Sequence, residues 1–109
     1  MKVQQIEVLA NDILNWLYEQ ELWIDVRVYY NGKVVYEKAK EEEANPKDYF
    51  DYVAEPHILS MSFDGALYEV FNGTSERAYK LLESFNEILN SHGVYYELGN
   101  AWNLTLYEE

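Results

Sequence analysis

HILSMSFDGALYEVF, residues 57–71, decides how many strands this chain is given. His57, Leu59, Met61 and Phe63 alternate with Ile58, Ser60 and Ser62, the period of a strand with one buried face. Asp64-Gly65 follows, a dipeptide suited to a two-residue hairpin turn. Read as a hairpin, the stretch pairs Leu59 with Val70 and Met61 with Tyr68 across the core face. Ile58 then faces Phe71, and Ser62 faces Leu67, on the opposite side.

Upstream of that hairpin, Asn45 suits an N-cap, Pro46 the first helical position and Asp48 the first turn. The spacing predicts a short helix over 46–54, with Tyr49, Phe50 and Val53 inward and Asp48, Asp51, Tyr52 and Glu55 outward. Downstream, Gly73, Thr74 and Ser75 open a long helix whose stripe is Ala78, Leu81, Leu82, Phe85, Ile88 and Leu89. His92 and Gly93 close it. The segments VYYEL and WNLTLY then flank Gly99-Asn100. A three-residue loop, Gly99 to Ala101, pairs Leu98 with Trp102, Tyr96 with Leu104 and Val94 with Leu106, and puts all six on one face.

At the start of the chain, Val3, Ile6, Leu9, Ala10, Ile13, Leu14, Trp16 and Leu17 form one face of a helix over 3–20. Leu22, Ile24, Val26 and Val28 alternate as a strand, and Asn31-Gly32 signals a hairpin. Two registers compete. A two-residue loop pairs Asp25 with Lys38; a three-residue loop pairs Arg27 with Glu37 and turns Val34 and Tyr36 inward. Turn chemistry favours the first and burial the second. Glu41-Glu42-Glu43 reads as a solvated loop. The whole is an α+β domain, helix–hairpin three times over (α-ββ-α-ββ-α-ββ). An antiparallel sheet of about six strands carries two long helices on one face, with the short helix near 46–54 at an edge.

Composition narrows the function. The chain has 109 residues, enough for one domain over 1–109, and no cysteine, which excludes disulfides and thiolate metal sites. It offers neither a transmembrane run nor a signal-peptide core, so a soluble cytoplasmic protein is expected. Twenty acids stand against eight bases, a net charge of −12. Residues 48–109 hold eleven of those acids and only Arg77 and Lys80 as bases. Such a surface repels nucleic acid and anionic membrane and attracts basic partners.

Catalytic material is scarce. His92 fits a helix terminus, His57 lies near Glu55 and Asp51 without a full ligand set, and there is no GxSxG turn or phosphate loop. No enzyme activity, metal or cofactor is expected. The informative feature is the second sheet face, which in this reading presents Trp23, Tyr29, Ile58, Leu67, Phe71, Tyr95 and Tyr107 beside Asp25, Glu69 and Glu97. Aromatic patches of this kind mark interfaces; the alternative is that the loop over 41–56 folds across them. On their helix, Asp48, Asp51, Tyr52 and Glu55 form a row of carboxylates with a ring for an incoming arginine.

The expected function is therefore a non-enzymatic acidic binding module for a basic protein. Its sharper form mimics nucleic acid and blocks a nucleic-acid-binding enzyme. In size and charge the chain is similar to small phage anti-defence proteins, including anti-CRISPR and anti-restriction inhibitors, a resemblance of composition that rests on no motif. A homo-oligomeric structural or regulatory protein, self-associating through the aromatic face, is the competing reading.

Overall fold

Apolar residues at three- and four-residue spacing bury one side of the first helix, α1 (Val3–Glu19), through Leu9, Ala10, Ile13, Trp16 and Leu17. The computed structural model describes residues 1–37 and 40–109. After α1 come strands β1 (Val26–Tyr30), β2 (Lys33–Tyr36) and β3 (Lys40–Glu43), then a 3₁₀ turn at Pro46–Asp48. Strand β4 (Leu59–Phe63), helices α2 (Gly65–Asn72) and α3 (Glu76–Ser91), and strands β5 (Val94–Asn100) and β6 (Asn103–Glu108) complete the chain. The strands form one antiparallel sheet in the order β3-β2-β1-β4-β6-β5.

The deciding stretch is half strand and half helix. Residues 65–72 form α2 instead of a second hairpin arm, so the repeat of three helix–hairpin units does not occur. Both sides of β4 are already taken: Met61 lies opposite Val28 of β1 and opposite Leu104 of β6. Gly65, at φ +63°, redirects the chain, and a Cβ there would touch Asp25 Oδ2 and Ile24 O. Leu67 and Val70 then point into the core one helical turn apart. Phe71 stacks between Phe63 and Phe85, with ring centroids at 4.8 and 5.3 Å. Ile58 is buried in the same cluster. Ile58, Leu67 and Phe71 thus belong to the core, not to a second sheet face.

The first hairpin takes the two-residue turn, with Tyr30 opposite Lys33 and Arg27 opposite Tyr36. Asn31 and Gly32 have φ of +49° and +78°, the conformation of a type I′ turn. The partner expected for Asp25, Lys38, lies outside the described residues. Turn chemistry prevails because Val34 and Tyr36 find cover on the second face, and because β2 ends before Glu37 would enter the core. The Glu41–Glu43 run is not a loop: it pairs with β2 as an edge strand, Glu41 opposite Val35 and Glu43 opposite Lys33.

The last hairpin keeps its predicted facing but shifts its pairing by two residues. Leu98 lies opposite Leu104 and Tyr96 opposite Leu106, with an irregularity between Leu98 and Asn100. Leu104 and Leu106 are fully buried, but Trp102 sits in the turn and is 49 % exposed, contrary to the expectation. Gly99 makes the extra residue fit, since a Cβ there would collide with Asn103 Oδ1. The Asn100 side chain holds the turn by accepting from Trp102 N–H at 2.9 Å.

All three helices join Val26, Val28, Tyr30, Leu59, Met61, Phe63, Leu104 and Leu106 in one core cluster. A separate cluster of Tyr29, Val34 and Phe50 lies on the other side of the pleat.

Candidate protein-docking site

Strand order forces the second face to be crossed. The chain leaves β3 at one edge and enters β4 on the far side of β2 and β1, so residues 44–58 must pass over those strands. Only Pro46–Asp48 are helical, in place of the helix expected over 46–54. Asn45 Oδ1 accepts from Lys47 N–H at 3.0 Å, and Phe50 N–H donates to Pro46 O at 3.0 Å, which closes the turn. Burial then takes over from helix propagation. Phe50 turns under onto Tyr29, with Val53 and Ala44 beside them. Further on, Ala54 N–H donates to Tyr107 OH at 3.1 Å.

Tyr29 is therefore buried beneath the crossing segment, and its hydroxyl is held above its ordinary pKa chiefly by that burial. Asp48, Asp51 and Tyr52 are exposed on the segment's outer surface, Tyr52 at 71 %. They do not form a helical row, because the helix is missing. Glu55 is engaged: Lys47 Nζ lies 2.5 Å from its Oε1, and His57 Nδ1 lies 3.2 Å from its Oε2. The Lys47 ammonium in first place, with His57 adding to it, holds the Glu55 carboxyl below the usual range. His57 Nδ1 is shut off from solvent and too poorly aligned with Glu55 for a hydrogen bond. His92 ends α3 as expected, and its Nε2 also meets Asp12 Oδ2 of α1 at 2.7 Å.

An open groove lies on either side of the crossing segment. The first, of about 560 Å³, is lined by Trp23, Ile24, Asp25, Arg27, Tyr36, Glu37, Tyr49, Asp64 and Trp102, with Tyr29 and Phe50 on its floor. Ile24, Tyr49 and Trp102 stand at its rim, each about half exposed or more. Of the three carboxylates that line it, Glu37 is paired with Lys40 Nζ at 2.6 Å, and Asp25 and Asp64 share the groove with the Arg27 guanidinium, which lies 4.5 Å over the Tyr36 ring. The second groove, of about 570 Å³, gathers Glu55, Ile58, Tyr95, Glu97, Tyr107 and Glu108. The Tyr95 and Tyr107 rings there are 5.9 Å apart.

Of the residues expected at a partner surface, Trp23, Asp25 and Tyr29 meet in the first groove, and Glu55, Ile58, Tyr95, Glu97 and Tyr107 in the second. Glu69 is exposed on α2, beside Ala66 and Arg77 in a shallow apolar hollow apart from both. Tyr49, Glu37, Asp64 and Trp102 also line the first groove, where the sequence had given them other places. Asp64 and Trp102 were hidden by the assumed hairpins, Tyr49 by the assumed helix. Glu37 leaves its strand at φ +44°, which no local pattern announces.

Among the described residues no group of three or more histidines or acids has metal-ligand geometry, and no helix is long and apolar enough to cross a membrane. No known protein family, curated protein or solved structure matches the chain.

Proposed function

We propose that this chain is a non-enzymatic, acidic binding module that docks on a basic partner protein. The first groove would receive an arginine or lysine side chain of that partner. The observation that carries this reading is the joint exposure of the Tyr49 and Trp102 rings with the Asp25 and Asp64 carboxylates around one open groove. Ring faces attract a guanidinium or ammonium, and carboxylates hold its donors. Asp48 and Asp51, exposed on the adjoining segment, add to the field that steers such a partner in.

The test is binding of an arginine-rich peptide, with a glycine-serine peptide as control, followed by tryptophan emission and surface-binding kinetics at low and high salt. Association that slows roughly tenfold or more at high salt supports the reading. Salt-independent binding, or equal binding of both peptides, overturns it. A partner recovered from cell extracts then allows the narrower question. Competition by DNA or RNA for that partner marks a nucleic-acid mimic of the kind found among phage anti-defence inhibitors. Without competition the module is an ordinary acidic adaptor.

A further inference from the structure

The two outer strands of the sheet present different edges. β3 is Lys40-Glu41-Glu42-Glu43, exposed throughout, a run of charge that discourages pairing. β5 spans Val94–Asn100 and carries one charge, Glu97. Its free edge can be read from its bonded one. Gly93 C=O accepts from Glu109 N–H at 3.0 Å. The register carries that bonded pair on to Tyr95 with Tyr107 and Glu97 with Thr105. Residues between bonded pairs of an antiparallel ladder point their N–H and C=O away from the partner strand. Val94, Tyr96 and Leu98 therefore aim both backbone groups out of the sheet, and no described residue meets them.

We propose that a second copy of this chain pairs with this edge, β5 against β5, about a two-fold axis at Tyr96. In that register Tyr96 faces its own copy and Val94 faces Leu98 in both directions. All three outward residues are then used, giving about six inter-chain N–H···O=C bonds. The side chains select this register over its neighbours. On the second face, Tyr95 of one copy lies directly across from Glu97 of the other, so a phenol O–H donates to a carboxylate, twice. An axis at Glu97 sets two carboxylates face to face, which costs stability. An axis at Tyr95 leaves Leu98 without a bonded pair. Leu98, 45 % exposed, gains Val94 of the second copy as its cross-strand neighbour. No β5 residue lines the first groove, so pairing leaves the docking site open.

The pairing stands apart from the docking proposal, and salt separates them. Each copy carries a net charge of −12. Screening that repulsion tightens self-association, whereas it weakens docking on a basic partner. The experiment is sedimentation velocity over a concentration series at low and high salt. It uses the full chain and its Leu98→Pro, Tyr95→Glu, Tyr95→Lys and Val8→Lys variants. Leu98→Pro removes an outward N–H and no bond to β6, so circular dichroism should show the fold retained and the dimer weakened by roughly tenfold. Tyr95→Glu should weaken it by about threefold or more, and Tyr95→Lys should tighten it against Glu97. Val8→Lys makes the same change of net charge on exposed α1 and controls for it. A wild-type chain that stays monomeric at high salt overturns the pairing. So does a dimer indifferent to the Tyr95 and Leu98 changes, or tightened equally by Val8→Lys. A monomer that instead captures an extended peptide of another protein at this edge overturns it too.

Discussion

Phe50 meets Tyr29 edge to face, with ring centroids 5.2 Å apart and planes at 84°. That contact is what pins the crossing segment to the sheet. Val34 lies in the same small cluster, and the segment's other buried residues are Pro46 and, in the main core, Ile58. Phe50→Ala should therefore uncover Tyr29 and Val34 together and cost about 2–3 kcal/mol of stability. Urea unfolding with a dye that reports exposed apolar surface checks both. A loss within experimental error would mean that the segment is held by Lys47–Glu55 and Ala54–Tyr107 instead.

The irregularity in the last hairpin has a specific steric partner. Gly99→Ala should destabilise the protein by about 1–3 kcal/mol, because the new methyl runs into Asn103 Oδ1. Asn103 is buried, so the carboxamide has little room to yield. Adding Asn103→Ala to Gly99→Ala should restore part of the loss, and a double-mutant cycle measures how much. Strict additivity would rule out the collision.

Trp16 Nε1–H donates to Ser84 Oγ at 2.8 Å, and that hydroxyl donates in turn to Leu81 O at 2.8 Å. The pair ties α1 to α3. Ser84→Ala leaves the indole N–H without an acceptor and should cost about 1–2 kcal/mol, read as a lowered Tm. Ser84→Thr keeps the hydroxyl and should cost less.

Acid should unfold the chain partly through Glu7. Its carboxyl accepts from Asn31 Nδ2 at 3.2 Å and pairs with Lys33 Nζ at 3.1 Å. The Asn31 hydrogen bond, with Lys33 adding to it, holds its pKa below the ordinary 4.5. Because the folded value is the lower one, the contribution is complete above 4.5 and is lost as pH falls through the folded value. Glu7→Gln should lower stability at neutral pH, where that contribution is complete, and flatten the fall of stability with pH in that window, so that the two proteins converge in acid, as chemical unfolding at several pH values will show.

Docking through the first groove predicts a division of labour. Asp25→Asn with Asp64→Asn should slow association with a basic partner, and most of that loss should vanish at high salt. Trp102→Ala should instead speed dissociation, by roughly tenfold, at any salt. Stability should hardly move in either variant, since all three side chains are exposed. Equal effects of both variants on association alone would remove the aromatic rim from the reading.

Elements with a single strong period were legible from the sequence. The stripes of α1 and α3 lie where the spacing put them, apart from Val3, which is exposed at the start of α1, and Ser75 caps α3 by accepting from Ala78 N–H at 3.0 Å. What escaped was set by partners distant in the chain. Asp64-Gly65 has hairpin chemistry, but β1 and β6 had already claimed both sides of β4. Asn45-Pro46 has helix-start chemistry, but Phe50 is worth more on Tyr29 than in another helical turn. The two hairpin registers turned on one question the local pattern could not answer, whether the second face is covered. The acidic character of the candidate site was visible in composition; its gathering around Tyr49 and Trp102 depends on the crossing.

The position of β4 has a consequence for how the chain can be divided. Its pairs reach back to β1 and forward to β6, with Ser60 and Thr105 sharing a buried hydroxyl contact of 2.8 Å across the latter boundary. Every other strand pair is between strands adjacent in sequence. The α1–β3 region and the α3–β6 region are therefore each assembled from near neighbours, and β4 is the seam between them. A nick in the exposed stretch around Asp51 would leave one piece ending in the segment that covers the sheet and another beginning with the seam strand. Neither piece would have a finished sheet, yet each would carry the other's missing edge. Two such fragments, expressed apart, should find one another and rebuild the fold, which makes the acidic surface something that proximity of two fusion partners can switch on.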